Sequence, residues 1–237
     1  MSGIGVKVNP LLISIQDEVR QAFGWNLKDD LESAQDLISS SKINFNSVQK
    51  NVQSQLNQSN KVIIIGAAAS ATELEHMITE SYCLIAADGA VGVLNELENP
   101  EAAWNSLAAI VSDADGHPHL MQAIKKKIPL FLHAHGDNQK GWIELLPHCK
   151  ETPLQITHQC PQQLDGAINP GGFTDGDRAI CLAIYLGIKP GKIHLCGFTS
   201  NKIGRWTGNT NPERKMKKLQ WMAKVIQITG VEWEESR

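Results

Sequence analysis

From Lys61 onward the chain alternates short apolar runs with amphipathic stretches. "KVIIIG", "YCLIAAD", "LAAIVSD", "IPLFLHAH", "PLQITH" and "KIHLCG" are brief and rich in β-branched or small apolar residues, as strands buried on both faces are. Between them lie "ATELEHMITE", "AVGVLNELE", "PHLMQAIKKK", "QKGWIELLPHC" and "GDRAICLAIYLG", with the mixed polarity of helices that cover a sheet. This rhythm predicts a doubly wound α/β domain over residues 61–237, a mostly parallel sheet with helices on both faces. "PERKMKKLQWMAKVIQIT" closes it as a helix, and its basic first part reads as a solvated face. The first 60 residues read differently. Residues 11–41 carry apolar positions at three- and four-residue spacing broken at Gly24, which predicts two helices. "INFNSVQKNVQSQLNQSN" is so rich in Asn, Gln and Ser that it reads as a polar linker or a loosely held helix.

Composition narrows the class. A chain of 237 residues, 42% hydrophobic, can bury a sizeable core. The net charge of −3 gives no nucleic-acid footprint, and no apolar run reaches the roughly 18 residues of a membrane span. The first 20 residues lack a signal-peptide layout, and Cys83, Cys181 and Cys196 sit inside apolar segments as small hydrophobes do. A cytoplasmic protein with reduced thiols is expected, and a homo-oligomer is compatible with the chain.

In such sheets ligands bind beyond the carboxyl ends of the strands, and chemistry-bearing residues collect there. The first strand runs into "GAAASATELE". Gly66 opens that turn and Ser70 or Thr72 caps the following helix; the turn is either an ordinary strand-to-helix link or a phosphate contact. The second strand ends at Asp88 and Gly89, the third at "SDADG". Asp113 and Asp115, two apart on extended chain, point the same way and suit one hard cation such as Mg²⁺. The fourth strand ends in "HAHGDN", where His133, His135 and Asp137 match the start of a two-metal hydrolase signature. Asn138 stands where that signature needs another His, and His148, Cys149, His158 and Cys160 fit no standard zinc spacing. "GGFTDGDRA" opens a helix. Thr174 and Asp177 form a capping-box pattern, leaving Asp175 as the better ligand and Arg178 as a phosphate contact. After the last strand, Lys202 and Arg205 are either surface charge or anion contacts.

Taken together, "AADGA", "SDADG", "HAHGDN" and "GGFTDGDRA" resemble the archaeal 6-hydroxymethyl-7,8-dihydropterin pyrophosphokinase family, over roughly residues 61 to 205. The first two are also similar to thiamin pyrophosphokinase, where an Asp-Gly pair and an Asp-x-Asp loop hold Mg²⁺ and substrate. The resemblance implies Mg²⁺-dependent transfer of diphosphate from ATP to the hydroxymethyl group of the pterin, with release of AMP, in folate or methanopterin biosynthesis. It implies Asp113, Asp115 and Asp137 as metal ligands, and Gly66, Ser70, Asp88, Gly89, Thr174, Asp175 and Lys202 around the nucleotide and pterin. Asp88 would hold metal or the donor-rich pterin edge. His133 or His135 would take the hydroxymethyl proton or meet a phosphate oxygen, or one would brace the loop, and Arg178 and Lys202 would neutralise phosphate charge. The chain departs from the family in its first loop: relatives tend to Gly-x-Gly-Pro-Ser, whereas "GAAAS" keeps only Gly66 and Ser70. The first 60 residues would cap the sheet edge or the site. Competing readings are a metal-dependent hydrolase built on "HAHGD", and a nucleotide-binding module or sugar-transfer relative on the same fold.

Overall fold

The computed structural model describes residues 6–41, 46–78, 81–208 and 210–236. The chain opens with α1 (Pro10–Phe23), capped by the Asn9 side chain and stopped by Gly24 in a left-handed turn at φ 68°. α2 (Leu27–Ser40) follows, capped by Asn26, and then α3 (Asn46–Gln58). The α/β part begins with β1 (Lys61–Ile65), α4 (Ala71–Met77) and β2 (Tyr82–Ala87). A 3-10 run over Asp88–Glu96 and α5 (Pro100–Asn105) lead to β3 (Leu107–Ser112), α6 (His119–Lys125) and β4 (Leu130–Ala134). Next come α7 (Gln139–Leu145), β5 (Leu154–His158), β6 (Ala167–Ile168), α8 (Asp175–Tyr185), β7 (Ile193–Cys196) and α9 (Pro212–Thr229).

The seven strands form one sheet in the order β6-β5-β4-β3-β2-β1-β7, every pair parallel. This is the doubly wound α/β arrangement. From β1 the chain steps one way to β2 and onward, whereas β7 returns to the other side of β1, so the winding reverses between β1 and β7. Successive side chains of β1 serve opposite layers. Ile63 and Ile65 join Leu74, Leu94, Leu120 and Trp142 on one face. Val62 and Ile64 join Val52, Ile180, Met222 and Ile226 on the other.

The polar stretch 46–58 is a packed helix rather than a linker. Val48, Val52 and Leu56, one per turn, are fully buried against the sheet. The amides that suggested a linker make specific bonds: Gln49 Nε2 donates to Gln155 Oε1 at 2.8 Å and Gln53 Nε2 to the Leu186 carbonyl at 2.8 Å. One apolar residue per turn suffices when the partner surface is a preformed sheet face. α5 and the two-residue β6 carry too little pattern to be read from sequence. "AVGVLNELE" winds as a 3-10 run, and Gly92 has no room for a side chain: a Cβ there would lie 2.4 Å from Trp206 and 2.7 Å from His119.

β5 ends in His158, whose Nδ1 accepts from the Cys160 N–H at 3.1 Å. Burial lowers its pKa from 6.5 to about 4. The folded imidazole stays neutral where the unfolded one takes a proton, so this contribution is complete above pH 6.5 and is lost as pH falls towards 4. Between pH 7.5 and pH 5 the wild type is expected to lose about 2 kcal/mol from this group. Asn at position 158, which still offers an oxygen to Cys160, should flatten that pH slope in urea unfolding. An unchanged slope would assign the acid sensitivity to other groups.

Candidate active site

The carboxyl ends of β2 and β3 bring three aspartates together. Asp88 leaves β2 with φ at 50°, accepts from Ser112 Oγ, and rests on Gly116, where a Cβ would come within 2.5 Å of its carboxylate. Ala114, at φ 78°, is held by its N–H to Ser112 Oγ at 2.9 Å, and Asp113 and Asp115 flank it. Asp88, Asp113 and Asp115 each offer an oxygen within 4.8 Å of the others. Asp113 Oδ1 is buried without a partner among the described residues.

Crowding sets the charge states. Burial, then repulsion from Asp175, Asp113 and Asp115, raises the pKa of Asp88 well above the ordinary carboxylate range. Burial and then Asp113 raise Asp115, and the same two causes lift Asp175 to about 7, against the pull of Arg178. Asp113 is the exception. Burial opposes its charge, yet the hydrogen bond from His135 holds it below the ordinary range. His135 bridges Asp113 (Nε2 to Oδ2, 3.2 Å) and Asp137 (Nδ1 to Oδ1, 2.6 Å). Burial alone would depress its pKa, but these two partners prevail and raise it to about 9.

Three carboxyls raised by burial and crowding, a fourth held ionised, an all-oxygen donor set and one orphaned buried oxygen fit a hard divalent cation. Among the described residues this is the only group of three potential ligands so close together. Asp137 is not in it. It lies beyond His135, paired with Arg214 at 2.9 Å, so Asp88 takes the place expected for Asp137. Nor do His133, His135 and Asp137 converge as a zinc set. His133 is fully buried with Nδ1 on Thr157 Oγ1 at 3.0 Å, and both nitrogens of His135 are occupied by carboxylates.

These carboxylates floor an open cleft of about 1050 Å³, its solvent-facing part included. Gly66, Ala67 and Ala68 line it at the β1 end. Their turn is not a free anion cradle: the N–H groups of Gly66, Ala68 and Ala69 donate to the carbonyls of Cys196, Gly197 and Gly66. Gly204 and Trp206 clamp the same turn, with Trp206 N–H on the Ala67 carbonyl at 2.9 Å and Nε1 on the Ala69 carbonyl at 2.8 Å. Lys202, Lys215 and Lys218 rim the cleft, and burial lowers the pKa of Lys218. The basic start of α9 therefore faces the site rather than solvent alone.

Thr174, Asp175 and His135 also line the cleft. Asp177 does not: its carboxylate accepts from the N–H groups of Phe173 and Thr174, both at 2.7 Å, as the cap of α8. Four other expected residues stand outside. Ser70 caps α4 through the Glu73 N–H. Gly89 makes room for the Trp206 carbonyl, which a Cβ would approach to 2.8 Å. His133 is sealed in the core, where burial keeps it neutral. Arg178 is buried and spent on the Phe173 carbonyl (2.7 Å) and Asp175 (3.2 Å), so it positions the turn and Asp175 rather than reaching a phosphate. Trp25, Trp206 and Thr207 also line the cleft, unheralded because they arrive from segments without a chemical motif.

A parallel sheet whose winding reverses beside an acidic, lysine-rimmed cleft defines an α/β protein with its candidate site at the carboxyl ends of the strands. No protein-family model matches the chain. It is 31% identical over 222 residues, 89% of each chain, to the 6-hydroxymethyl-7,8-dihydropterin pyrophosphokinase of Pyrococcus furiosus. It is 30% identical over 73% of each chain to the enzyme of that name from Methanocaldococcus jannaschii. To that from Methanothermobacter thermautotrophicus it is 34% identical over 131 residues. The chain belongs to the 6-hydroxymethyl-7,8-dihydropterin pyrophosphokinase family, and is a diphosphokinase.

Proposed function

We propose that the protein transfers diphosphate from ATP to the hydroxymethyl group of 6-hydroxymethyl-7,8-dihydropterin, with Mg²⁺, releasing AMP in folate or methanopterin biosynthesis in the cytoplasm. The observation that carries this reading is the Asp88–Asp113–Asp115 cluster, with its unpartnered Asp113 Oδ1, beneath a rim of lysines. In the transfer the hydroxymethyl oxygen bonds to the β-phosphorus, the bond from that phosphorus to the α–β bridging oxygen breaks, and the hydroxyl proton leaves. Mg²⁺ would neutralise phosphate charge and hold the β-phosphorus open to attack. Asp88, Asp113 and Asp115 would hold it, and Lys202, Lys215 and Lys218 would bind the phosphate oxygens.

Protonated His135 is a poor base; it keeps Asp113 ionised and aimed. Asp175, which lines the cleft beside the cluster and is held by Arg178 at 3.2 Å, would take the proton. Residues 61–237 carry this chemistry. The test is AMP release from ATP and Mg²⁺, with and without the pterin. Pterin-dependent AMP with a diphosphorylated pterin is expected. Folded protein that binds ATP but forms no AMP would remove the pterin assignment.

A further inference from the structure

We propose that Trp25 is the wall against which the flat ring of the acceptor seats, so that the N-terminal helix pair sets acceptor specificity. This rests on the reaction proposed above. α1 packs in the layer of α8 and α9 through Leu12, Ile15 and Val19, whereas α2 packs on β4, β5 and α7 in the opposite layer. The link between them must cross the carboxyl end of the sheet. It does so in three residues, Gly24 to Asn26, and the left-handed turn at Gly24 sends Trp25 into the cleft.

The cleft has two ends. At one, β1 meets β7, the winding reverses and Gly66 and Gly197 line the wall; this is where such sheets take a nucleotide. The acidic cluster lies between, after β2 and β3. On the other side His135 follows β4 and Gln159 follows β5, and Trp25 lines the cleft with Phe173 beside it. A nucleotide whose phosphates cross the cluster leaves that end for the acceptor.

Its chemistry suits a flat aromatic ring. Phe23 stacks on Trp25 at 4.7 Å and 20°, and Phe173 lies at 5.9 Å and 45°. Gln159 Nε2 is given to Asp30 at 2.9 Å and Asp175 sits beside the acidic cluster, so this end offers ring faces rather than a free carboxylate. Arg214 Cζ stands 5.1 Å and Lys218 Nζ 5.4 Å from the Trp25 ring, and Lys218 Nζ is 5.7 Å from that of Phe173, so an acceptor ring seated on Trp25 would shift these two cations.

The experiment is steady-state kinetics with each substrate varied in turn, on wild type, Trp25→Ala, Trp25→Leu and Trp25→Phe. Trp25→Leu keeps apolar bulk against Phe23, so it reports if the alanine variant does not fold. Loss of the ring face should raise KM for the pterin about tenfold or more, in the range of an aromatic–base stack. KM for ATP should stay within about twofold, and Trp25→Phe should restore most of the pterin KM. Pterin should quench tryptophan emission in the wild type and quench it less in Trp25→Phe. An unchanged pterin KM in an active Leu or Ala variant, or a rise in the ATP KM instead, would overturn the proposal. A folded wild type that ignores pterin would remove the reaction itself, and this assignment with it.

Discussion

Asp88→Asn is expected to lower turnover by roughly a thousandfold and, without Mg²⁺, to raise the thermal midpoint. The two effects share one cause. Asp88 is buried beside three other carboxylates, and its pKa is raised well above the ordinary range. A carboxyl whose folded pKa lies above its unfolded value stabilises the fold only at low pH, and that contribution is lost as pH rises. Ionising Asp88 in the folded state costs free energy, and a divalent cation on the cluster would remove that cost. Asn keeps an oxygen for Ser112 Oγ and tolerates φ of 50° better than most residues, so the backbone has no reason to move. Each kcal/mol recovered is worth about 3 °C in a chain of this size. Saturating Mg²⁺ should stabilise the wild type and barely affect the variant. A variant that loses activity and midpoint together, at every Mg²⁺ concentration, would make Asp88 a structural residue.

Asp30→Ala is expected to be the most destabilising single change outside the hydrophobic core. Arg20 and Asp30 are both buried, at 4% and 3% exposure, and meet at 3.2 Å. The Asp30 carboxylate also accepts from Gln159 Nε2 at 2.9 Å and from the Gly136 N–H at 2.9 Å, which ties both N-terminal helices to the "HAHGDN" loop. Removing it leaves the Gly136 N–H and the Gln159 amide without their acceptor and takes one of the two carboxylates from Arg20, which keeps Asp17 and the Gln159 carbonyl, a loss of about 3 kcal/mol. Chemical unfolding measures it. The double change Arg20→Met, Asp30→Leu should recover part of the stability, since apolar bulk then replaces both buried charges while the Gly136 N–H and Gln159 amide stay unpaired. A single-variant loss below about 1 kcal/mol would show that water reaches the pair and the network contributes little.

The six longer strands and the two N-terminal helices were legible because each carries its own apolar pattern. Asp113 and Asp115 were legible as a pair because strand geometry alone puts them on one side. What failed was reach. Arg178 sits in the first turn of α8, after a loop of the right composition, but the sequence does not reveal that its guanidinium turns inward to the Phe173 carbonyl. Asp137 and Asp88 both end strands, and only the bridging of His135 to Asp113 and Asp137 decides which stands apart from the cluster. The basic face of α9 was misjudged because a charge run has no direction until the helix is docked. Trp25 was illegible because its position depends on two helices lodging in opposite layers.

β7 pairs with β1 although about 130 residues separate them, and the chain's last turns fasten the same corner. The Ser236 N–H donates to the Phe198 carbonyl at 2.7 Å, and Ser236 Oγ joins the Gly197 N–H on Glu73 Oε1. Synthesis runs from β1 towards β7, so Lys61–Ile65 must wait with one edge unpaired while five other strands emerge. Until Ile193–Cys196 leaves the ribosome, that edge is the exposed template for wrong pairing, and the nucleotide end of the cleft has only one wall. A nascent chain of this protein completes the Asp88–Asp113–Asp115 cluster well before β7 closes the cleft, so ligand capture on the ribosome is expected only once Ile193–Cys196 has emerged.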